Sequence, residues 1–129
     1  MSSIQSRPLV VIGHSLGANE AVRVAANAEG LGGKVDLLVL FDPTENVVVP
    51  ASVGTVISIY QRNGMGREAV IQAGYSGQVI NIDLTNNPNV VHTNIEKVRE
   101  LHELVVREVA RLGYRAASVA TPARLQRRQ

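Results

Sequence analysis

The chain has 129 residues, 45% of them hydrophobic and 19% charged, which fits one folded domain and excludes a disordered polypeptide. With no cysteine it forms neither disulfides nor thiolate metal sites. The formal charge of +2 comes from 13 basic and 11 acidic residues, but Arg115, Arg124, Arg127 and Arg128 all lie in a C-terminal segment without an acid; leaving them out, 9 basic residues face 11 acidic ones, a net −2 that argues against a nucleic-acid-binding module.

Aromatic residues are only 3% of the chain, so the core has to be built from Val, Ile, Leu and Ala. No apolar run approaches the roughly 20 residues of a membrane span. The start, Met1 to Ser6, lacks the apolar stretch of a signal peptide, so a cytoplasmic chain without a transmembrane segment is expected.

Val10-Val11-Ile12, led in by Pro8-Leu9 and ended by Gly13, reads as a strand covered on both faces. A helix is expected from Ala18 to about Ala28, where Gly30, Gly32 and Gly33 stop it. Val35 to Phe41 is a second strand, closed by Asp42-Pro43; Val56 to Tyr60 is a third; Val79 to Leu84 is a fourth, with Asn81 and Asp83 alternating against Ile80, Ile82 and Leu84. Asn86-Asn87-Pro88-Asn89 is loop.

From about Asn94 to Leu112 apolar residues recur at three- and four-residue steps, the strongest helical signal in the chain. Beyond Gly113 the pattern dissolves, giving a domain over 1–113 and a basic, disordered tail over 114–129. None of the connections resembles a tight hairpin, so the expected class is α/β: a partly parallel four-stranded sheet with flanking helices, whose ligands bind beyond the carboxyl ends of the strands.

Those ends carry the chemistry. Gly13-His14-Ser15-Leu16-Gly17 fits G-x-S-x-G, a sharp strand-to-helix turn that needs glycines because strand and helix approach closely and that pushes the serine outward. It strains Ser15 and places the Leu16 N–H at a helix start, where it can stabilise a developing oxyanion.

A serine alcohol needs a base, and there are only three histidines. His14 lies inside the turn and is expected to pack or hydrogen-bond beside the site; His102 lies within the long helix as a structural residue; His92, in the loop after the last strand, is the candidate base. The acid that orients it is Asp42, at the end of the strand beside that of Ser15, or Asp83, near the end of the fourth strand; either keeps the order Ser, Asp, His. No metal-ligand spacing is present and Gly64-Met65-Gly66 is too short for a phosphate loop, so no cofactor site is expected.

Gly13-His14-Ser15-Leu16-Gly17-Ala18, Leu40-Phe41-Asp42-Pro43 and His92 together resemble the α/β-hydrolase superfamily, in particular bacterial lipase- and thioesterase-like members. The resemblance implies that the four strands correspond to the last four of that family's eight, and that the chain cleaves a small-molecule or lipid acyl ester, or a thioester, through Ser15, with His92 as base. In the family the acid follows either the second or the third of these strands; Tyr60-Gln61-Arg62-Asn63 after the third holds no carboxylate, which favours Asp42.

Against the family pattern, the first four strands and the loop supplying a second oxyanion donor are missing, and one lost donor slows turnover on the order of 100–1000-fold. The Ser15 strand would then be a sheet edge inviting self-association or completion by an N-terminal half. The alternative to an esterase is a truncated hydrolase-like domain with a binding or assembly role.

Overall fold

The computed structural model describes residues 8–112 and the backbone of Ser118–Ala120. Strand β1 (Leu9–His14) runs directly into helix α1 (Leu16–Gly30); β2 (Leu37–Phe41), β3 (Thr55–Tyr60) and β4 (Gln78–Asp83) follow, then a 3-10 turn at Ile95–Lys97, helix α2 (Arg99–Arg111) and a short strand β5 (Ser118–Ala120). The sheet order is β4-β3-β2-β1-β5 and every pairing is parallel. Among the described residues no helix is long and apolar enough to cross a membrane.

The sheet is the middle of three layers because its central strands are apolar on both faces. Val11, Leu38, Leu40 and Val56 pack with Ala18, Ala21, Val22 and Ala25 of α1 on one side. Val10, Leu37, Val39, Phe41, Ile57 and Ile59 pack with Ile95, Leu101 and Val105 on the other. In β2 all five residues are buried, as expected of a strand enclosed in a parallel sheet.

The four strands expected from the sequence are present, and the sheet is parallel throughout rather than in part. Two features differ. The helix expected from Asn94 begins only at Arg99, because Val98 is extended (φ −72°, ψ 124°) and divides a 3-10 turn from α2. Ile95 on that turn is nevertheless fully buried among the same apolar residues, which is why the helical spacing ran through it.

The links from β2 to β3 and from β3 to β4 contain no helix. Val47, Val49 and Val53 of the first link and Ala69 of the second bury themselves beside α1, so irregular chain covers that part of the sheet. The two links pair through a parallel bridge at Val48 and Val70, with Val70 N–H donating to Val47 C=O at 2.7 Å and Val49 N–H to Val70 C=O at 3.1 Å.

The other difference is β5. Ser118–Ala120 pairs with Leu9 to Val11, so β1 is an inner strand and not the edge expected for it. Three residues are too short to show a period of two. The other residues of the segment read as a tail, and the boundary drawn after Gly113, lie outside the described residues.

At the turn from β1 to α1 the backbone itself explains the glycine. A Cβ on Gly13 would overlap the carbonyl oxygen of Gly17 and stand 2.8 Å from Ala18 Cα, whereas one on Gly30, the last residue of α1, would meet nothing within 4 Å. Gly13→Ala is expected to destabilise the chain by roughly 1–3 kcal/mol through overpacking against backbone that cannot move aside. Gly30→Ala should stabilise it by about 0.5–1 kcal/mol; urea unfolding of both variants measures the contrast.

Candidate active site

At the carboxyl ends of the strands the sheet hands its last ladder bond sideways. Ser15 N–H donates to Phe41 C=O at 2.9 Å, Asp42 N–H to Ile59 C=O at 2.7 Å, and Leu84 N–H to Tyr60 C=O at 2.8 Å. Each residue just past a strand is thereby tied to the neighbouring strand's end, and two of the three then turn sharply: Ser15 has φ 62° and Asp42 φ 54°.

Ser15 is both the end of the strand ladder and the start of the helix, since its C=O accepts from Ala18 N–H (2.9 Å) and Asn19 N–H (3.3 Å). With no residue to spare between the two elements, the chain reverses at Ser15 itself in a backbone state that costs on the order of 1–3 kcal/mol for a non-glycine residue. Leu16 is the first residue of α1, so its N–H has no acceptor within the helix and lies at the positive end of the helix dipole.

Asp42 accommodates its positive φ as a residue type that tolerates the left-handed region. Its side chain is 1% exposed, and a buried carboxylate has to be hydrogen-bonded. Oδ1 accepts from Gln61 N–H at 3.0 Å and Oδ2 from His92 Nδ1–H at 2.5 Å. Because a carboxylate only accepts, the proton sits on Nδ1 and Nε2 is left as an acceptor, and it receives the Ser15 hydroxyl at 2.8 Å.

His92 stands on the loop between β4 and the 3-10 turn, and that loop is held by side chains. Gln61, itself buried, donates through Nε2 to Leu84 C=O (3.1 Å) and Val90 C=O (2.6 Å). His14 Nε2–H donates to the backbone C=O of His92 at 2.7 Å, its ring tilted 38° to that of His92 with centroids 5.3 Å apart, while its Nδ1 faces Glu96 Oε1 at 3.8 Å. Asn94 closes the loop, accepting Val91 N–H on Oδ1 at 2.8 Å.

The other sequence candidates stand elsewhere. Asp83 is exposed and takes Arg62 Nη2–H at 2.8 Å and Thr85 N–H at 2.9 Å. Those hydrogen bonds, Thr85 first and then Arg62, hold its carboxyl down at about 2. His102, exposed on α2, donates from Nε2 to Glu96 C=O. Gln61 carries no signal in the sequence, because its contribution lies in an amide N–H and a carboxamide that no pattern marks.

A serine, an imidazole and a carboxylate from three separate segments, linked through two short hydrogen bonds, can move a proton off the serine hydroxyl. Residues 1–54 match the Thioesterase domain family model. That family belongs to the α/β-hydrolase superfamily. The match contains Ser15, Leu16 and Asp42 and ends before His92, whose place beside them comes from the structure. No curated protein and no solved structure matches the chain.

Gln61→Met removes the carboxamide while keeping an apolar stem of similar length, leaving the Val90 carbonyl without its donor while Leu84 C=O keeps Asn87 N–H at 3.0 Å. It is expected to cost about 1–3 kcal/mol. The loosening should be local, seen in hydrogen exchange as faster exchange of the Asn94 N–H that bonds Val91 C=O, with amides of β2 and β3 affected far less.

Proposed function

We propose that this chain is a serine hydrolase of acyl esters or thioesters, working through an acyl-enzyme on Ser15. The observation that carries the reading is the unbroken relay from Ser15 Oγ through His92 to Asp42 Oδ2, with spacings of 2.8 and 2.5 Å. The thioesterase match over the segment holding Ser15 and Asp42 favours a thioester as the natural substrate.

In this mechanism Ser15 Oγ attacks the acyl carbonyl as its proton passes to His92 Nε2, and the carbonyl oxygen takes the charge facing the Leu16 N–H. The bond to the leaving sulfur or oxygen then breaks, the proton on Nε2 going to it, and an acyl-serine remains. A water gives its proton to Nε2, adds to the acyl carbon and releases the carboxylic acid as the proton returns to Ser15. Asp42 keeps Nδ1 protonated throughout and stabilises the imidazolium.

Labelling by a fluorophosphonate, in which Ser15 Oγ forms a bond to phosphorus and fluoride leaves, tests the nucleophile directly. Wild type is expected to label at Ser15, Ser15→Ala not at all, and His92→Ala far more slowly. Absence of labelling from a folded wild-type chain would sink the proposal.

The acid separates just as sharply. Asp42→Asn is expected to lower hydrolysis of an acyl thioester, followed by the thiol released, by about 10,000-fold, because asparagine favours the wrong histidine tautomer. Asp83→Asn, at a carboxylate hydrogen-bonded to Arg62 and Thr85, should stay within a few-fold of wild type. The reverse ranking, with both variants folded by melting temperature, would move the acid to Asp83.

A further inference from the structure

Gly64-Met65-Gly66 lies in the link between β3 and β4, and its second glycine is buried. Its burial is against the Asp42 carboxylate: a Cβ built on Gly66 would overlap Oδ1 and Cγ of Asp42 and stand 2.8 Å from Oδ2. Gly66 is not in the left-handed backbone region, unlike Gly74 with φ 86°, so the backbone conformation does not demand glycine here. What demands it is space, and the space is taken by one carboxylate.

The link is not free to back away. Arg67 N–H donates to Pro43 C=O at 2.6 Å, directly beside Asp42, and Arg67 Nη1 donates to Gly64 C=O at 3.1 Å and Gly66 C=O at 2.8 Å, closing the turn on itself. Further along, Ala69 is buried and Val70 is paired with Val47 and Val49. On its other sides the carboxylate is committed to Gln61 N–H and His92 Nδ1–H.

We propose that Gly66 is a positioning residue for Asp42: its bare backbone forms the wall that excludes water from the carboxylate and fixes its rotation, so that Oδ1 meets Gln61 and Oδ2 meets His92. A single methyl at this position displaces the carboxylate and breaks the hydrogen bond to His92 Nδ1. The idea rests on the role given above to Asp42, and its test is chosen to separate the two.

Gly66→Ala is compared with Gly64→Ala, whose Cβ would meet nothing within 4 Å in the same turn. Three quantities are read on each: the rate of fluorophosphonate labelling, the far-downfield proton resonance of His92 Nδ1–H, assigned by its loss in Asp42→Ala, and the melting temperature. Gly66→Ala is expected to slow labelling at least tenfold, within the roughly 10,000-fold limit set by losing the acid, and to shift or abolish the resonance. Gly64→Ala should match wild type in both.

The decisive arm is Gly66→Ala in the Asp42→Ala background, where the missing carboxylate leaves room for the methyl. There the added alanine is expected to lower the melting temperature much less than it does alone, and to restore folding if the single variant does not fold. Equal losses in the two backgrounds, or a Gly66→Ala chain with wild-type labelling and resonance, would overturn the proposal. A folded wild-type chain that is not labelled would overturn the hydrolase reading instead, while the resonance and the melting comparison still decide the role of Gly66.

Discussion

Asp42 has a carboxylate that is 1% exposed, and the surrounding structure is arranged around the need to satisfy it. A charge out of water is tolerated only where donors point at it from fixed directions. One donor, Gln61 N–H, belongs to the chain just beyond β3 and is placed by the sheet; the other, His92 Nδ1–H, belongs to a loop and has to be brought. Once His92 is committed through Nδ1, its Nε2 faces the Ser15 hydroxyl at 2.8 Å. The position of Asp42 thus dictates the orientation of His92, and that orientation turns Nε2 to the Ser15 hydroxyl.

Ser15 and Asp42 share a design. Both follow directly on neighbouring strands, both keep an N–H in the ladder, and both take a positive φ that strands do not use. The ladder bond holds the strained residue against relaxing, so the strain stays where it projects the side chain. His92 has no such tether. It is held by Gln61 and His14 side chains acting on Val90 and His92 carbonyls and by the Asn94 turn, bonds that depend on rotamers instead of on sheet register. Of the three, His92 is therefore the one held by side chains and not by the strand ladder.

What could be read from the sequence follows the same division. Gly13 to Gly17 is legible because strand, turn and helix are contiguous, and the steric demand on Gly13 is local. Asp42-Pro43 and the loop of His92 are legible as strand ends, and the structure adds that β2 adjoins β1 while Asp83 lies on an edge strand paired to Arg62. Gln61 and Gly66 are not legible: one acts through a backbone amide and a carboxamide, the other through an absent side chain, and neither leaves a periodicity. In the fold, apolar runs mark β1 to β4, but β5 is three residues long, and the crossovers bury Val47, Val49 and Val53 without the repeat of a helix.

His14 shows how a residue inside a motif acquires a second role. The turn that lifts Ser15 also sends the preceding side chain across to the His92 loop, where Nε2–H takes the His92 carbonyl and Nδ1 faces Glu96 on the 3-10 turn. Ile95, next to Glu96, is fully buried beneath the sheet, so this contact reaches firm ground. A chain of contacts consequently runs from β1, which leads into Ser15, to the turn that follows His92, independent of the hydrogen bonds through Asp42. Two separate supports, one through the carboxylate and one through His14, converge on His92, and that convergence is what allows a loop residue to stand 2.8 Å from a hydroxyl set by the sheet.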